Sequence, residues 1–277
     1  MKATRDFLKS LGLPGSDAYD LPTSEKRFSD GAQYRFEVPG IQGPKVMRAL
    51  LEALNDYGLY IHRVTQTKGI MMLTDEEISG MVELAHQWKT DLILAIGPRA
   101  TTDTSASVNT PEGVRMGYRL RGQEQVVRAI EDVKRAARLG CRSFLVYDEG
   151  CLWVLDKFRE AGEIPKDCKF KISAHAGHGN PCSAKLLESI GADSINPVRD
   201  IQLQMLAAMR QAIDCPIDIH TENPKSTGGF IRHYEVPEMI RVCGADYLKI
   251  RVALWRKPTA GIPRLTMQGR ERSRSSW

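Results

Sequence analysis

One pattern runs through almost the whole chain and limits its possible folds: a short apolar strand is followed by an amphipathic helix, and the pair repeats. The predicted strands cover residues 34–38, 60–65, 92–96, 143–147, 170–174, 193–196, 217–220 and 247–250. Strands that alternate with helices through short connections form a parallel sheet, and eight such strands are the number that closes a barrel. The sequence therefore predicts an α/β fold, a TIM-type (βα)8 barrel. An open, doubly wound sheet is the alternative, but no GxGxxG motif follows any strand.

The helix ends carry recognisable signals. Thr74, followed three residues later by Glu77, is a capping box, which predicts that a helix begins there. Gly140, Gly191 and Gly244 close three of the helices, and each precedes a Cys or Ala that leads into a strand. We expect these glycines to adopt the left-handed conformation that ends helices.

Pattern and charge divide the chain into three segments. Residues 1–32 predict an N-terminal helix and a wrapping segment, residues 33–250 the barrel domain, and residues 251–277 a basic, irregular or disordered tail. The tail has no helical apolar period, contains Pro258 and Pro263, and carries seven basic residues against one acidic residue. We therefore expect the eighth helix to be missing, or replaced by a tail that is not native to the fold.

Several classes of protein are excluded by the rest of the sequence. The net charge of +5 comes from the tail, which has no groove-reading motif, so we expect no nucleic-acid partner. No apolar run reaches the roughly 20 residues that span a bilayer, and the first residues lack the apolar stretch of a secretory signal. The six cysteines show no CxxC spacing, which favours reduced thiols. We expect a cytoplasmic protein with no membrane partner, and a homo-oligomer if the missing helix leaves apolar surface exposed.

Candidate functional residues lie where the strands end, because the active sites of such barrels form at the carboxyl ends of the strands. Polar residues cluster at these positions. They are Glu37, Arg63, Thr65, Gln66, Arg99, Asp148, Glu149, Ser173, His175, His178, Asn196, Arg199, Asp218, His220, Glu222, Asn223 and Lys249. Since side chains alternate along a strand, we expect only part of this set to face the barrel mouth.

Three histidines are the candidate metal ligands. His175 and His178 follow strand five, and His220 ends strand seven just before Glu222. Neutral imidazoles beside a carboxylate suit Zn, Mn or Fe, so a divalent metal is the cofactor that this pattern predicts. Histidines in such loops are also common as hydrogen-bonded structural residues, and the sequence leaves both interpretations open.

Four residues are the candidates for catalysis. Asp148 and Glu149 follow strand four, and burial at a barrel mouth raises carboxyl pKa values toward the range useful for acid–base chemistry. The alternative is that they face the dipole of the next helix. Glu222 is the third carboxylate. Lys249 lies within strand eight, where an inward-facing amine would be a Schiff-base nucleophile or an anion anchor, and an outward-facing one would be ion-paired.

A glycine-containing loop after strand seven is the candidate anion site. Ser226, Thr227, Gly228 and Gly229 combine hydroxyl groups with backbone amides that approach an anion closely, at a place in barrels where phosphate sites recur. A flexible turn is the alternative. The long segment 97–122, after strand three, is the candidate lid.

Several segments resemble a known family. They are 171–181 (KISAHAGHGNP), 191–197 (GADSINP) and 228–238 (GGFIRHYEVPE), together with 21–28 near the start. They are similar to peptidase family U32, the collagenase-like group, and the likeness covers about residues 1–250. The resemblance implies a TIM-type barrel and proteolysis. Other branches of the family are linked to hydroxylation of RNA bases or of a quinone precursor, with an iron–sulfur cluster on four cysteines, whereas the cysteines of this chain lie apart on different predicted elements.

The expected function is therefore that of a U32-like, peptidase-type hydrolase that acts on a peptide or small molecule, with a divalent metal activating water. The resemblance assigns no catalytic residue, so the site rests on the positions given above. The alternative is an aldolase, lyase or isomerase for a small phosphorylated or carboxylated metabolite, in which Lys249 or a metal stabilises the developing charge. A barrel that binds a ligand without turnover is the third possibility.

Overall fold

Eight parallel strands close into a barrel and follow one another around it in the order of the chain. The computed structural model describes residues 1–99, 106–111, 113, 117–223 and 228–250. The strands are β1 Tyr34–Pro39, β2 Arg63–Gln66, β3 Asp91–Ala95, β4 Ser143–Val146, β5 Lys169–Ile172, β6 Ser194–Ile195, β7 Ile217–His220 and β8 Asp246–Lys249. Glu37 of β1 pairs with Arg63 of β2 on one side and with Lys249 of β8 on the other, which closes the ring. The predicted TIM-type barrel is confirmed, and the open sheet is excluded.

In the part of the chain that the structure describes, a helix precedes the barrel and a helix follows each of β1 to β7. The helices are α1 Lys2–Ser10, α2 Pro44–Asp56, α3 Asp75–Gln87, α4 Gly122–Arg138, α5 Glu149–Ala161, α6 Pro181–Ser189, α7 Leu203–Ala212 and α8 Val236–Cys243. Short 3-10 turns lie at Ile70–Met72, Ala106–Asn109, Ala174–Ala176 and His233–Glu235. The prediction about the eighth barrel helix falls on residues 251–277, outside the described part of the chain.

Side-chain caps fix where several helices begin. The Thr74 hydroxyl accepts from the Glu77 amide at 3.2 Å, and the Glu77 carboxylate accepts from the Thr74 amide at 3.0 Å, so the predicted capping box is confirmed. Asp148 accepts from the Cys151 amide at 3.0 Å and starts α5. Asn180 caps α6 in the same way. Each cap satisfies an amide that would otherwise lack a partner in the first turn.

The glycines at the helix ends have two different roles. Gly140 and Gly191 have φ of 99° and 106°, the predicted left-handed conformation. For Gly244 the prediction is wrong, because its φ is −46°. A Cβ at this position would lie 3.0 Å from the Ile240 carbonyl oxygen and 3.2 Å from that of Gln33, so close backbone approach requires the glycine.

The apolar core lies between the strands and the surrounding helices, whereas the centre of the barrel is polar. Leu51 of α2, Ile78 of α3 and Leu155 of α5 are among the residues buried in the outer layer. Segment 11–33 runs along the C-terminal helices, where the Ser24 amide donates to the Arg241 carbonyl at 2.8 Å. None of the helices in the described residues is both long enough and apolar enough to cross a membrane.

Candidate active site at the barrel mouth

Five charged side chains meet inside the barrel, and none of them is more than 5% exposed: Glu37, Arg63, Lys171, Asp218 and Lys249. Glu37 Oε2 accepts from Arg63 Nε at 2.8 Å, from Arg63 Nη2 at 2.5 Å and from Lys171 Nζ at 2.5 Å. Asp218 Oδ1 accepts from Lys171 Nζ at 2.9 Å and from Arg63 Nη2. Arg63 and Lys171 are therefore shared between the two carboxylates.

Lys249 joins this cluster by weaker contacts. Its Nζ lies 3.5 Å from Glu37 Oε1, and Thr65 Oγ1 donates to that same oxygen at 2.9 Å. The Asn196 amide satisfies both of its neighbours when its oxygen accepts from Lys249 Nζ at 2.6 Å and its nitrogen donates to the Asp218 carbonyl at 3.0 Å. Lys249 is thus held by one neutral amide and by Oε1 of Glu37, the carboxylate oxygen that accepts fewer hydrogen bonds.

Burial and mutual repulsion shift the pKa values of the cluster. Burial alone would raise the pKa of Glu37, but Arg63, Lys171 and Lys249 hold it well below its usual range. Burial lowers the pKa of Lys171 well below its ordinary range and also lowers the pKa of Lys249, and the charge of Arg63 acts in the same direction on both. With every group ionised, the cluster would contain three cations and only two carboxylates. Loss of one lysine proton removes that excess charge.

A cavity of about 120 Å³ opens above Lys249, at the carboxyl ends of the strands. Its lining residues are Pro39, Gly40, Thr65, Thr67, Tyr118, Leu145, Tyr147, Ser173, His175, Asn196, Arg199, His220 and Lys249. No acidic side chain occurs among these described lining residues. The cavity therefore presents hydroxyl, imidazole and cationic groups to a ligand.

Stacked rings form one wall of the cavity. Tyr118 stacks on His175 with ring centroids 3.9 Å apart, and on Tyr147 at 5.1 Å. Arg199 Nη2 lies 2.9 Å from His175 Nε2, so the guanidinium donates to the imidazole. Arg99 lies over the Tyr147 ring at 4.6 Å and donates to backbone carbonyls of the loops after β2 and β3. The stack thus carries an arginine at each end.

His220 lies beside Lys249 in the sheet, because β7 and β8 pair these two residues. Its Nε2 is 3.3 Å from the Asn196 amide, and within the described part of the chain its Nδ1 has no hydrogen-bond partner. Burial lowers the pKa of His220 well below its ordinary value, and the charges of Lys249 and Arg199 act in the same direction. His220 is therefore a neutral imidazole at neutral pH.

The predicted carboxylates Asp148 and Glu149 lie outside the cavity lining. Asp148 caps α5, as the alternative interpretation of this residue expects. Glu149 accepts from Arg119 Nη2 at 2.9 Å, and its Oε1 lies 2.5 Å from His178 Nε2. Both carboxylates thus have structural partners at the rim.

The elements after β7 also lie away from the cavity lining. Glu222 Oε2 is 3.6 Å from His233 Nε2, and the Glu222 backbone pairs with Ile231. Of the predicted anion loop, Ser226 and Thr227 lie outside the described residues. Gly228 and Gly229 have left-handed φ of 113° and 65° and do not line the cavity. Anion binding by this loop stays a prediction.

The three candidate metal ligands do not come together. His175 and His220 line the cavity, whereas His178 lies beside Glu149. Across the described residues, no group of three or more His, Cys, Asp or Glu side chains is placed to hold a metal ion. A metal role for these histidines stays a prediction.

Sequence analysis did not select several residues of the site, among them Lys171, Tyr118 and Tyr147. Lys171 alternates with the buried Phe170 and Ile172, a period of two that could have indicated its inward direction. Tyr118 and Tyr147 carry no comparable signal. Tyr118 belongs to the candidate lid segment 97–122, of which residues 100–105, 112 and 114–116 lie outside the described part.

Comparisons with known proteins report resemblance in fold. No family model and no curated protein matches the sequence. The U32 peptidase Mk0906 is 13% identical over 84% of this chain and 98% of its own, with a TM-score of 0.48. The YdjI aldolase from Escherichia coli is 13% identical over 79% and 76%, with a TM-score of 0.49. Deoxyribose phosphate aldolase from Aeropyrum pernix is 14% identical over 89% and 93%, with a TM-score of 0.47. Because identity and scores are this low, the activity has to be argued from the site.

Proposed function

We propose that the protein is a lyase of the aldolase type, in which Lys249 forms a Schiff base with the carbonyl group of a small metabolite. One observation carries the proposal. The Lys249 amine is buried at the end of β8, lines the cavity, and has a pKa lowered by burial. A lower pKa increases the fraction of the amine that is unprotonated, and the unprotonated amine is the form that attacks a carbonyl.

Lys249, rather than Lys171, is the amine that a ligand in the cavity reaches. Lys171 Nζ lies within 2.9 Å of both Glu37 and Asp218, which favour its charged form. Lys249 has a single carboxylate contact, at 3.5 Å. Lys249 therefore has fewer carboxylate contacts that stabilise its charged form, and it lines the cavity, whereas Lys171 does not.

The proposed reaction takes place at Lys249 Nζ in successive steps. The Nζ lone pair attacks the carbonyl carbon, a proton moves from nitrogen to the former carbonyl oxygen, and a second proton, taken up from solvent, lets that oxygen leave as water to give an iminium ion. A base then takes the proton of the hydroxyl group on the β-carbon, this carbon becomes the carbonyl of a departing aldehyde, and the electron pair of the broken carbon–carbon bond enters the iminium to form an enamine. Protonation of the enamine carbon and hydrolysis return the free amine.

Two neighbours support these steps. Glu37, 3.5 Å from Lys249 Nζ, stabilises the positive charge of the iminium ion. His220 carries its proton on Nε2 when it faces the Asn196 amide oxygen, so Nδ1 has a lone pair that can accept a proton. The low pKa of His220 keeps this lone pair available at neutral pH.

Borohydride trapping tests the proposal. The protein is incubated with pyruvate or glycolaldehyde and sodium borohydride, and the adduct is located by peptide mass spectrometry. We expect an adduct on Lys249 that is lost in Lys249→Met and retained in Lys45→Met, a change of an exposed lysine on α2. An adduct of equal yield in Lys249→Met would overturn the assignment, as would the absence of a carbonyl-dependent adduct in the unmodified protein.

A hydrolase is the second candidate, in line with the resemblance to the U32 peptidases. The contact between His178 and Glu149 favours it, because a carboxylate can orient an imidazole that activates water. Burial and Arg119 lower the pKa of His178, so its imidazole is neutral and can accept a proton. Peptide hydrolysis that persists in Lys249→Met but is abolished by His178→Ala would favour this candidate over the lyase.

A further inference from the structure

We propose that Asn196 is a positioning residue of the site, whose side-chain oxygen holds the Lys249 amine and the His220 imidazole together and sets which imidazole nitrogen carries the proton. The inference rests on the proposed function for the role of Lys249 as the nucleophile. The contacts that carry it are those of the Asn196 side chain, which is 2% exposed and lines the cavity.

The two strands beside β6 hold Asn196 in place. Asn196 directly follows Ser194–Ile195, and its backbone amide donates to the Ile172 carbonyl of β5 at 2.9 Å. Its side-chain nitrogen donates to the Asp218 carbonyl of β7 at 3.0 Å. The position of the side-chain amide is therefore set through the backbone by one strand and through the side chain by the other.

The Asp218 carbonyl also fixes which way the amide faces. A backbone carbonyl only accepts hydrogen bonds, so the nitrogen of Asn196 faces it and the oxygen faces the other way. There the oxygen accepts from Lys249 Nζ at 2.6 Å and lies 3.3 Å from His220 Nε2. The reversed orientation would place the amide NH2 group against the amine and two oxygens against each other. One carbonyl of the main chain thus determines which atom of Asn196 the two side chains meet.

The same oxygen determines the tautomer of His220. Burial lowers the pKa of His220, and the charges of Lys249 and Arg199 act in the same direction, so the imidazole is neutral and carries one proton. Because the Asn196 oxygen only accepts, this proton belongs on Nε2 and the lone pair on Nδ1. This is the tautomer that the proposed reaction uses as a base.

A neutral amide suits the Lys249 amine better than a carboxylate would. Charged and titratable groups act on Lys249 from several neighbouring elements: Glu37 of β1, Arg63 of β2, Lys171 of β5, Arg199 after β6 and His220 of β7. The Glu37 carboxylate lies 3.5 Å from the amine. A second carboxylate, at the place of the Asn196 oxygen, would favour the protonated amine and remove the lone pair that attacks a carbonyl. The amide oxygen orients the amine without adding a negative charge.

Competitive methylation tests this role without assuming a substrate. The protein is treated with formaldehyde and cyanoborohydride over a range of pH, and mass spectrometry compares methylation of Lys249 with that of the exposed Lys45 in the same sample. We expect Asn196→Asp to move the pH profile of Lys249 upward by about one pH unit or more. Asn55→Asp, the same change at an exposed position of α2, is expected to leave the profile unchanged. Thermal unfolding checks that both variants are folded.

Nitrogen NMR of protein labelled with nitrogen-15 histidine tests the tautomer in the unmodified chain, and His220→Gln identifies the signals of His220. We expect a neutral imidazole with its proton on Nε2. A proton on Nδ1 would overturn the inference. So would a Lys249 profile that is unchanged in a folded Asn196→Asp, or a Lys249 that stays unmethylated at every pH.

Borohydride trapping separates this inference from the lyase proposal. A methylation profile that depends on Asn196, without any pyruvate or glycolaldehyde adduct, would refute the lyase and leave Asn196 as the residue that sets the state of Lys249. An adduct on Lys249, together with the same methylation profile in Asn196→Asp as in the unmodified protein, would refute the positioning role alone.

Discussion

Asp246, the first residue of β8, is a buried acid whose charge opposes folding. It is fully buried, and neither carboxylate oxygen has a hydrogen-bond partner in the described part of the chain. Burial raises its pKa to about 8, although Arg210 opposes the shift. An unfolded Asp titrates near pH 4, so between about pH 4 and pH 8 the folded protein binds more protons than the unfolded chain. The stability that Asp246 contributes through its raised pKa is complete below about pH 4, and it is lost as the pH rises from about 4 to about 8.

We therefore predict that the free energy of unfolding falls by on the order of a few kcal/mol between pH 5 and pH 8, and that Asp246→Asn removes most of this fall. A buried amide group also lowers stability by itself. The two proteins are therefore compared by how their free energy of unfolding changes with pH, rather than by its value at one pH. Urea unfolding at several pH values measures it, with Asp20→Asn, a change of an exposed acid, as the control. A profile for Asp246→Asn as steep as that of the unmodified protein would contradict the pKa assigned to this carboxyl.

At the scale of the element, Asp148 acts as the N-terminal cap of α5. The side chain accepts from the Cys151 amide at 3.0 Å, and Asn caps helices about as well as Asp does. We predict that Asp148→Ala lowers the free energy of unfolding by about 1 kcal/mol, and Asp148→Asn by only a few tenths. Urea unfolding provides the measurement. If Asp148→Asn abolished trapping on Lys249 while leaving stability intact, the carboxylate would have a catalytic role that its cap does not explain.

The elements show how far sequence patterns determine this fold. All eight strands were predictable because buried apolar runs alternate with helical periods, and Thr74 with Glu77 marked the start of α3. The starts of α5 and α6 carry no comparable mark in the sequence, since Asp148 and Asn180 lie in polar stretches and act as caps only once the chain has turned. The prediction for Gly244 was wrong because a glycine is needed there for close approach to the backbone of Gln33, which lies far away along the chain.

At the scale of the whole molecule, the barrel brings together residues that no local pattern connects. The rule that sites form at the carboxyl ends of strands was enough to select Glu37, His220 and Lys249 as candidates. It was not enough to select among them, because the direction of Lys249 depends on the register of β8 against β1 and β7. The period of two around Lys171 indicates its inward direction, but its contact with Glu37, more than 130 residues earlier in the chain, depends on the closed barrel.

The charged cluster at the centre also couples distant strands, and this coupling is measurable. Glu37 of β1 contacts cations from β2, β5 and β8, so removing its charge leaves buried lysine and arginine groups without their acceptor. We predict that Glu37→Gln lowers the free energy of unfolding by about 3–5 kcal/mol. Lys171→Met is also destabilising, because it leaves Glu37 and Asp218 with one cation fewer.

The double variant Glu37→Gln, Lys171→Met removes one charge of each sign, so we expect it to be more stable than the sum of the single changes by about 1–3 kcal/mol. A double-mutant cycle by urea unfolding measures this coupling. The matched control is the exposed pair Lys157 and Glu160 on α5, whose ions are 2.6 Å apart but solvated, and whose coupling should be much smaller. Equal coupling in the two cycles would mean that Glu37 and Lys171 interact as surface charges do. In that case the charges of the cluster would not interact strongly enough to support the lowered pKa of Lys249 on which the proposed function depends.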